Sequence, residues 1–262
     1  MKPSKHTLLS IAFTLGAAAS AQAAVLFADD FESDTANSSL GTSNWGTVTA
    51  GSGFVTVRDE TTATPFGDPN QYLRMSADTG SSQIQVLSPY FTAASGAVTT
   101  LSFDFYEPSA GGNNDAMHFG YAFADLNAGG SRLRLQFNNG VISGVSGGTS
   151  TSYNMDAAYT IHLVFNDTAS AINYTGGTVA ANTAHVWFET LGSGSFVFAG
   201  NAAALNSSGE DSYAIGFRTF NTNRQEVWVD NVSLVEGAAA IPEPSVGLLG
   251  LGALLFAMRR RR

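Results

Sequence analysis

Residues 100–107 read Thr-Leu-Ser-Phe-Asp-Phe-Tyr-Glu. Leu101, Phe103 and Phe105 share one side of an extended chain, and Ser102, Asp104 and Tyr106 share the other. A period of two is the signature of a strand with one buried face. The same alternation recurs along the chain. Phe119, Tyr121 and Phe123 oppose His118, Gly120 and Ala122; Leu133, Leu135 and Phe137 oppose Arg132, Arg134 and Gln136. Ile161, Leu163 and Phe165 oppose His162; Val186 and Phe188 oppose His185, Trp187 and Glu189; Tyr213, Ile215 and Phe217 oppose Arg218. Further strands are expected near 26–31, 45–50, 53–58, 71–76, 82–87, 141–145 and 195–199. Between them lie clusters such as SAGGNND, FNNG and NYTGG, where Gly and Asn supply the positive φ of tight turns. No 3.6-residue period is sustained, and the absence of a sequence repeat argues against a propeller or solenoid. About a dozen half-buried strands require two sheets packed face to face, an all-β, two-sheet antiparallel β-sandwich.

The last expected strand, Glu226 to Glu236, breaks phase. Val227 and Val229 alternate together, Val232 and Leu234 alternate together, and the two pairs are out of register. A bulge at Asp230-Asn231 would restore a single buried face, since one extra residue reverses everything after it. Burial on both sides is the alternative.

Both ends differ from this body. Lys2 and Lys5, an apolar run from Leu8 to Ala19 and the triplet Ala21-Gln22-Ala23 have the layout of a secretory signal helix, with cleavage by signal peptidase after Ala23. At the other end, Pro242-Glu243-Pro244 precedes a thirteen-residue apolar run, Val246 to Met258, and then Arg259, Arg260, Arg261 and Arg262. A helix of that length covers about 20 Å, short of the roughly 30 Å apolar core of a bilayer, so it is a marginal anchor. The expected organisation is a signal peptide (1–23), a β-sandwich (24–236), a linker (237–241) and a tail (242–262).

Charge narrows the function. Between residues 24 and 241 there are six arginines, no lysine and 20 acidic residues, a net charge of about −14. Such a body repels nucleic acid and anionic lipid. It contains no cysteine, so core packing must hold the fold without disulfides.

The opening Leu26-Phe27-Ala28-Asp29-Asp30-Phe31-Glu32 and the closing Val227-Trp228-Val229-Asp230-Asn231-Val232 resemble the two ends of a concanavalin-like or carbohydrate-binding-module jelly roll. That resemblance implies that the first and last strands lie side by side. It also implies a structural calcium held by Asp29, Asp30, Glu32 and Asp230; no other cofactor is implied. The tail resembles the PEP-CTERM sorting segment, on Pro242, Glu243, Pro244 and the four terminal arginines. The resemblance implies recognition by an exosortase-like membrane protease in a Gram-negative bacterium that makes exopolysaccharide. The protein would be anchored transiently in the inner membrane and then released to the cell surface or extracellular matrix.

The residues themselves argue weakly for catalysis. Glycosidic hydrolysis needs two carboxylates flanking one bond. Asp104 and Glu107, three apart on a strand, point to opposite faces. Gln85 stands where jelly-roll alginate lyases carry histidine, and the body lacks their lysine. The Gly-Ser-Gly segments read as turns. His118, His162 and His185 occupy outward positions, where they could share a face with Tyr106, Trp187 and Arg218, but no tight metal spacing is present. Sugar rings stack on aromatic side chains while polar neighbours bind hydroxyls. Trp187 with His185, then Tyr106 and Trp45, are the candidate ligand-binding residues; burial under a loop is the alternative for Trp187. The expected function is a non-catalytic module that binds extracellular polysaccharide or fills a matrix. The alternative is a secreted glycosidase or lyase on the same fold.

Overall fold

The computed structural model describes residues 23–238 except 43, 51–52, 60–64, 68–69, 78–83, 92–97, 110–116, 123–125, 127–129, 149–150, 206–212 and 220–224. The signal helix, most of the linker and the C-terminal tail, with Pro242, Glu243, Pro244 and Arg259 to Arg262, lie outside the described residues.

The described residues form strands and no helix. In chain order the strands are β1 (Val25–Asp29), β2 (Ser38–Ser39), β3 (Thr47–Thr49), β4 (Phe54–Asp59), β5 (Gln71–Ala77), β6 (Ile84–Leu87), β7 (Val98–Tyr106), β8 (Met117–Ala122) and β9 (Ser131–Asn138). They continue with β10 (Val141–Ser143), β11 (Ser146–Gly147), β12 (Ala158–Asn166), β13 (Ile172–Tyr174), β14 (Gly177–Val179), β15 (Thr183–Thr190), β16 (Val197–Ala203), β17 (Ala214–Thr219) and β18 (Gln225–Glu236).

A ten-stranded sheet runs β11-β16-β15-β12-β7-β18-β5-β4-β2, with β1 also paired to β18. A six-stranded sheet runs β10-β9-β8-β17-β6-β3, and β13-β14 form a separate hairpin. The pairings are antiparallel. This is the two-sheet sandwich expected from the alternation.

The alternation also builds the core. Phe103 from β7 meets Phe119 of β8 at 4.8 Å and Phe217 of β17 at 5.2 Å, ring centre to ring centre. Phe105 meets Phe137 of β9 at 4.8 Å. These contacts cross the sandwich, and all five rings are buried. Each contributes roughly 1.5–3 kcal/mol through burial.

The phase break in β18 is a bulge. The pairing of β18 with β7 shifts between Asp230 and Ser233, and Asn231 has φ +49°. Before the bulge the other edge of β18 pairs with β5; after it, that edge pairs with β1. The first and last strands are therefore neighbours, as the jelly-roll resemblance implied. Asp-Asn suits this corner. The Asp230 carboxylate accepts the Asn231 backbone N–H at 2.7 Å, and the Asn231 side-chain amide donates to Asp104 at 2.9 Å and to Asp230 at 3.2 Å.

Candidate binding face

The outer surface of the ten-stranded sheet carries most of the residues singled out in the sequence. Tyr106, Asp104 and Ser102 point outward from β7, and Glu189, Trp187 and His185 point outward from β15. Cross-strand register orders them. Tyr106 lies between Trp228 and Ala158; Asp104 between Asp230 and Thr160; Ser102 beside His162, which pairs with Trp187.

Tyr106 ends an aromatic row. Phe66 packs edge-on to Tyr72 at 5.8 Å, Tyr72 stacks on Trp228 at 4.8 Å, and Trp228 meets Tyr106 at 4.8 Å. Trp228 lies directly opposite Tyr106, whereas on β5 it lies opposite Arg74 and reaches Tyr72 on the diagonal. On its far side Tyr106 has only Ala158 as a cross-strand neighbour, and its ring is half-buried. Its hydroxyl donates to Asp156 at 3.4 Å, and Ser109 also donates to that carboxylate. Burial, with Asp156 and Glu226 nearby, raises the Tyr106 pKa. Trp228 donates its indole N–H to Glu226 at 2.7 Å, and Glu226 also pairs with Arg74 at 2.8 Å. Trp228, Tyr72 and Phe66 were not recognised in the sequence, although Trp228 is outward by the same parity that sends Val227 and Val229 inward.

Trp187 lies on the same face but is tied down. Its indole N–H donates to the Tyr174 hydroxyl at 2.9 Å, and that hydroxyl bonds His185 Nδ1 at 2.8 Å. Since the hydroxyl has one proton, the chain runs Trp187 to Tyr174 to neutral His185. Burial lowers the His185 pKa, consistent with this direction. The network pins the β13-β14 hairpin over β12 and β15, and Val164 and Val179 are fully buried there. Asn166 reinforces it by donating to the carbonyls of Ser170, Val179 and Ala180 at 2.9–3.1 Å. His185 is thus corrected from ligand contact to hairpin anchor, and Trp187 is half-buried. Tyr174→Phe should cost about 1–2 kcal/mol, because it strands the indole N–H and the ring nitrogen. Amide hydrogen exchange should accelerate across residues 172–179; unchanged exchange would contradict the anchoring role.

Trp45 is corrected more fully. It is completely buried, and its indole N–H donates to Asp29 Oδ2 at 2.7 Å. The histidines do not meet either: His118 projects from the six-stranded sheet, whereas His162 and His185 project from the other.

The four acids of the implied calcium site do not converge. Asp29 is buried, with one oxygen held by Trp45 and the other by the Phe31 N–H at 2.9 Å. Asp30 is exposed and accepts the Glu32 N–H at 3.2 Å. Glu32 accepts the Gln71 N–H at 2.7 Å, and Asp230 accepts from Asn70 at 2.6 Å. Among the described residues no group of three or more Asp, Glu, His or Cys is arranged to hold a metal ion.

The carboxylates weighed as a catalytic pair are also separated. Glu107 is buried, where it accepts from Tyr153 and from the Asn139 and Gly140 N–H groups. Asp104 faces the other way and accepts from Thr160 at 2.6 Å. Burial raises the Asp104 pKa, and the Thr160 and Asn231 hydrogen bonds oppose that rise.

No protein-family model matches the chain, and no curated protein matches it. Solved structures do. The catalytic domain of a glycoside hydrolase family 131 protein from Coprinopsis cinerea is similar over 84% of this chain and 98% of that one, with 14% identity and a TM-score of 0.51. A protein of unknown function from Shewanella oneidensis is similar over 82% of this chain and 87% of that one, also with 14% identity and a TM-score of 0.51. At these identities the likeness is one of fold.

Proposed function

We propose that this is an exported, non-catalytic polysaccharide-binding module whose glycan lies across the outer face of the ten-stranded sheet, from Tyr106 toward Trp187. The carrying observation is the half-buried Tyr106 ring beside Ala158, at the end of the aromatic row. A sugar C–H face stacks on an aromatic face, and the cross-strand neighbour on that side of Tyr106, Ala158, is small. Four residues along β7 and two strand spacings separate Tyr106 from Trp187, a diagonal of roughly 17 Å that spans several sugar rings. Thr160, Glu189 and His162 lie between them as partners for hydroxyl groups. The carboxylates on this face are engaged: Asp104 by Thr160 and Asn231, Asp156 by Ser109, Glu226 by Arg74, and Glu189 by Ser193 and Ser195. That engagement favours holding a chain over cutting one.

Export rests on the sequence. Residues 1–23 would deliver the chain, an exosortase-like protease would read Pro242 to Arg262, and the body would act at the cell surface or in the matrix.

The test is gel-retardation of the full chain in neutral polysaccharides, with calcium and with chelator. Tyr106→Ala should weaken retardation roughly tenfold, about 1.4 kcal/mol; because it also removes packing against Trp228, circular dichroism checks that the variant is folded at the assay temperature. Tyr106→Phe, which keeps the ring, should retain most of it. Equal retardation of wild type and Tyr106→Ala, or cleavage of the polymer, would overturn the reading.

A further inference from the structure

The six-stranded sheet presents a different outer face. Its register aligns one row across all six strands: Thr49, Gln85, Arg218, His118, Gln136 and Ser143. Five strand spacings make the row about 24 Å long. Every member is polar. In the adjacent row, Gly216 pairs with Gly120 and Gly120 pairs with Arg134. The two glycines add no side chain to this row beside Arg134, and both are buried. A side chain at Gly120 is excluded, since its φ is +147° and a Cβ would come within 2.2 Å of the Leu133 carbonyl oxygen. Beyond the glycines, Leu87, Ala122, Ala214 and Leu126 form a separate buried cluster. The Leu126 N–H donates to Gln85 at 3.1 Å, so this cluster walls one side of the polar row.

The chemistry of the row is cationic and donor-rich. Arg218 and His118 are recessed, at 3% and 7% exposure, whereas Gln85, Arg134 and Gln136 are half-buried at its rim. Arg218 lies opposite His118 on one side, and Gln136, with Arg134 two residues before it, on the other; both arginines oppose protonation of His118, and Gln136 hydrogen-bonds it. Burial is the main cause of holding the His118 pKa down to about 4, so the ring is neutral at ordinary pH. Among the described residues no outward position of this sheet is acidic, on a body that carries about −14 overall.

We propose that this row is a second binding site, one that takes the carboxylates of a uronate-containing polysaccharide lying across the strands. Arg134 is the rim cation that meets the sugar acid. A guanidinium and side-chain amides present planar N–H donors that match a carboxylate. The extended row fits a polymer better than a single small anion. The body's net negative charge opposes a polyanion at long range. At 0.15 M salt, however, the screening length is about 8 Å, so direct contacts survive while that repulsion fades.

The test is gel-retardation of the full chain at 0.15 M salt in polygalacturonate, dextran sulfate and unmodified dextran. Polygalacturonate should retard the protein more strongly than dextran sulfate does, and Arg134→Gln with Gln136→Leu should weaken that retardation at least tenfold. Both substituted positions are half-buried at the rim, and an unchanged unfolding midpoint checks that the variant folds. Tyr106→Ala should leave polygalacturonate retardation unchanged, which separates this site from the face proposed above. No retardation by polygalacturonate, stronger retardation by dextran sulfate, or equal retardation of wild type and variant would each overturn the assignment.

Discussion

Trp45→Ala should remove most of the stability of the sandwich. The Trp45 ring meets Phe27 at 4.9 Å, and Phe31 and Phe217 at 6.2 Å each, so it joins the start of the chain to a strand of the six-stranded sheet. Truncating a buried tryptophan costs roughly 3–5 kcal/mol through lost burial and the cavity left behind. The same change strips Asp29 Oδ2 of its donor inside the protein, which adds about 1–3 kcal/mol. Asp29 also holds the N–H of Phe31, a buried residue at φ +58°. That conformation is disfavoured for an aromatic residue and persists only while its surroundings enforce it. Against a typical total of about 5–15 kcal/mol, the combined loss approaches unfolding. Trp45→Phe separates the parts: it keeps most of the packing and should cost about 1–3 kcal/mol, chiefly for the stranded carboxylate. Urea unfolding followed by far-ultraviolet circular dichroism would give both values. A loss below 2 kcal/mol for Trp45→Ala would remove Trp45 from its place in the core.

Trp45 also shows where sequence reading stops. It sits in Thr-Ser-Asn-Trp-Gly-Thr, among polar residues and beside a glycine, with no alternation to assign it a side. Its burial depends on an acceptor sixteen residues away, which no local pattern announces. The strands were legible because each must bury one face, and the β18 bulge was legible because a phase break has few physical solutions. Facing was legible too: Tyr106 and Trp187 point outward as their parity required. What covers an outward residue was not legible. The hairpin over His185 follows from hydrogen bonds to Tyr174 and Asn166, and the aromatic row follows from the register of β5, β18 and β7. The polar row of the other sheet likewise exists only once six strands are in register. Its members are scattered from Thr49 to Arg218, and each alone reads as ordinary surface.

Stability should vary with pH under two opposing groups of residues. Burial holds the pKa of His118 and His162 down to about 4, against about 6.5 in an unfolded chain. Between those values the unfolded chain binds protons that the folded one refuses, so falling pH destabilises the fold. Each histidine can account for at most about 3 kcal/mol at pH 4. His118 faces Arg134, Arg218 and Gln136, the first two opposing its protonation; His162 faces Ser102, Trp187 and Phe196 and has no charged neighbour among them. Asp230 works in reverse. Burial raises its pKa to about 7, and Asp104 and Glu32 add to that rise, while hydrogen bonds from Asn70 and Asn231 oppose it. Between pH 3.8 and 7 the folded chain keeps a proton that the unfolded one releases, so rising pH destabilises the fold by up to about 4 kcal/mol. Across the shared interval two histidines outweigh one aspartate, and wild type should lose only a few kcal/mol from pH 7 to pH 4. Asp230→Asn removes the opposing member and keeps an acceptor for Asn70. The variant should gain stability at pH 8, on the order of 1–4 kcal/mol, and should then lose stability more steeply than wild type below pH 6.5. His162→Gln should flatten that acid limb by about half. Unfolding midpoints measured from pH 4 to pH 8 on the three proteins would decide it, since an Asp230→Asn protein less stable than wild type at pH 8 means that the ionised carboxylate holds the bulge together rather than straining it.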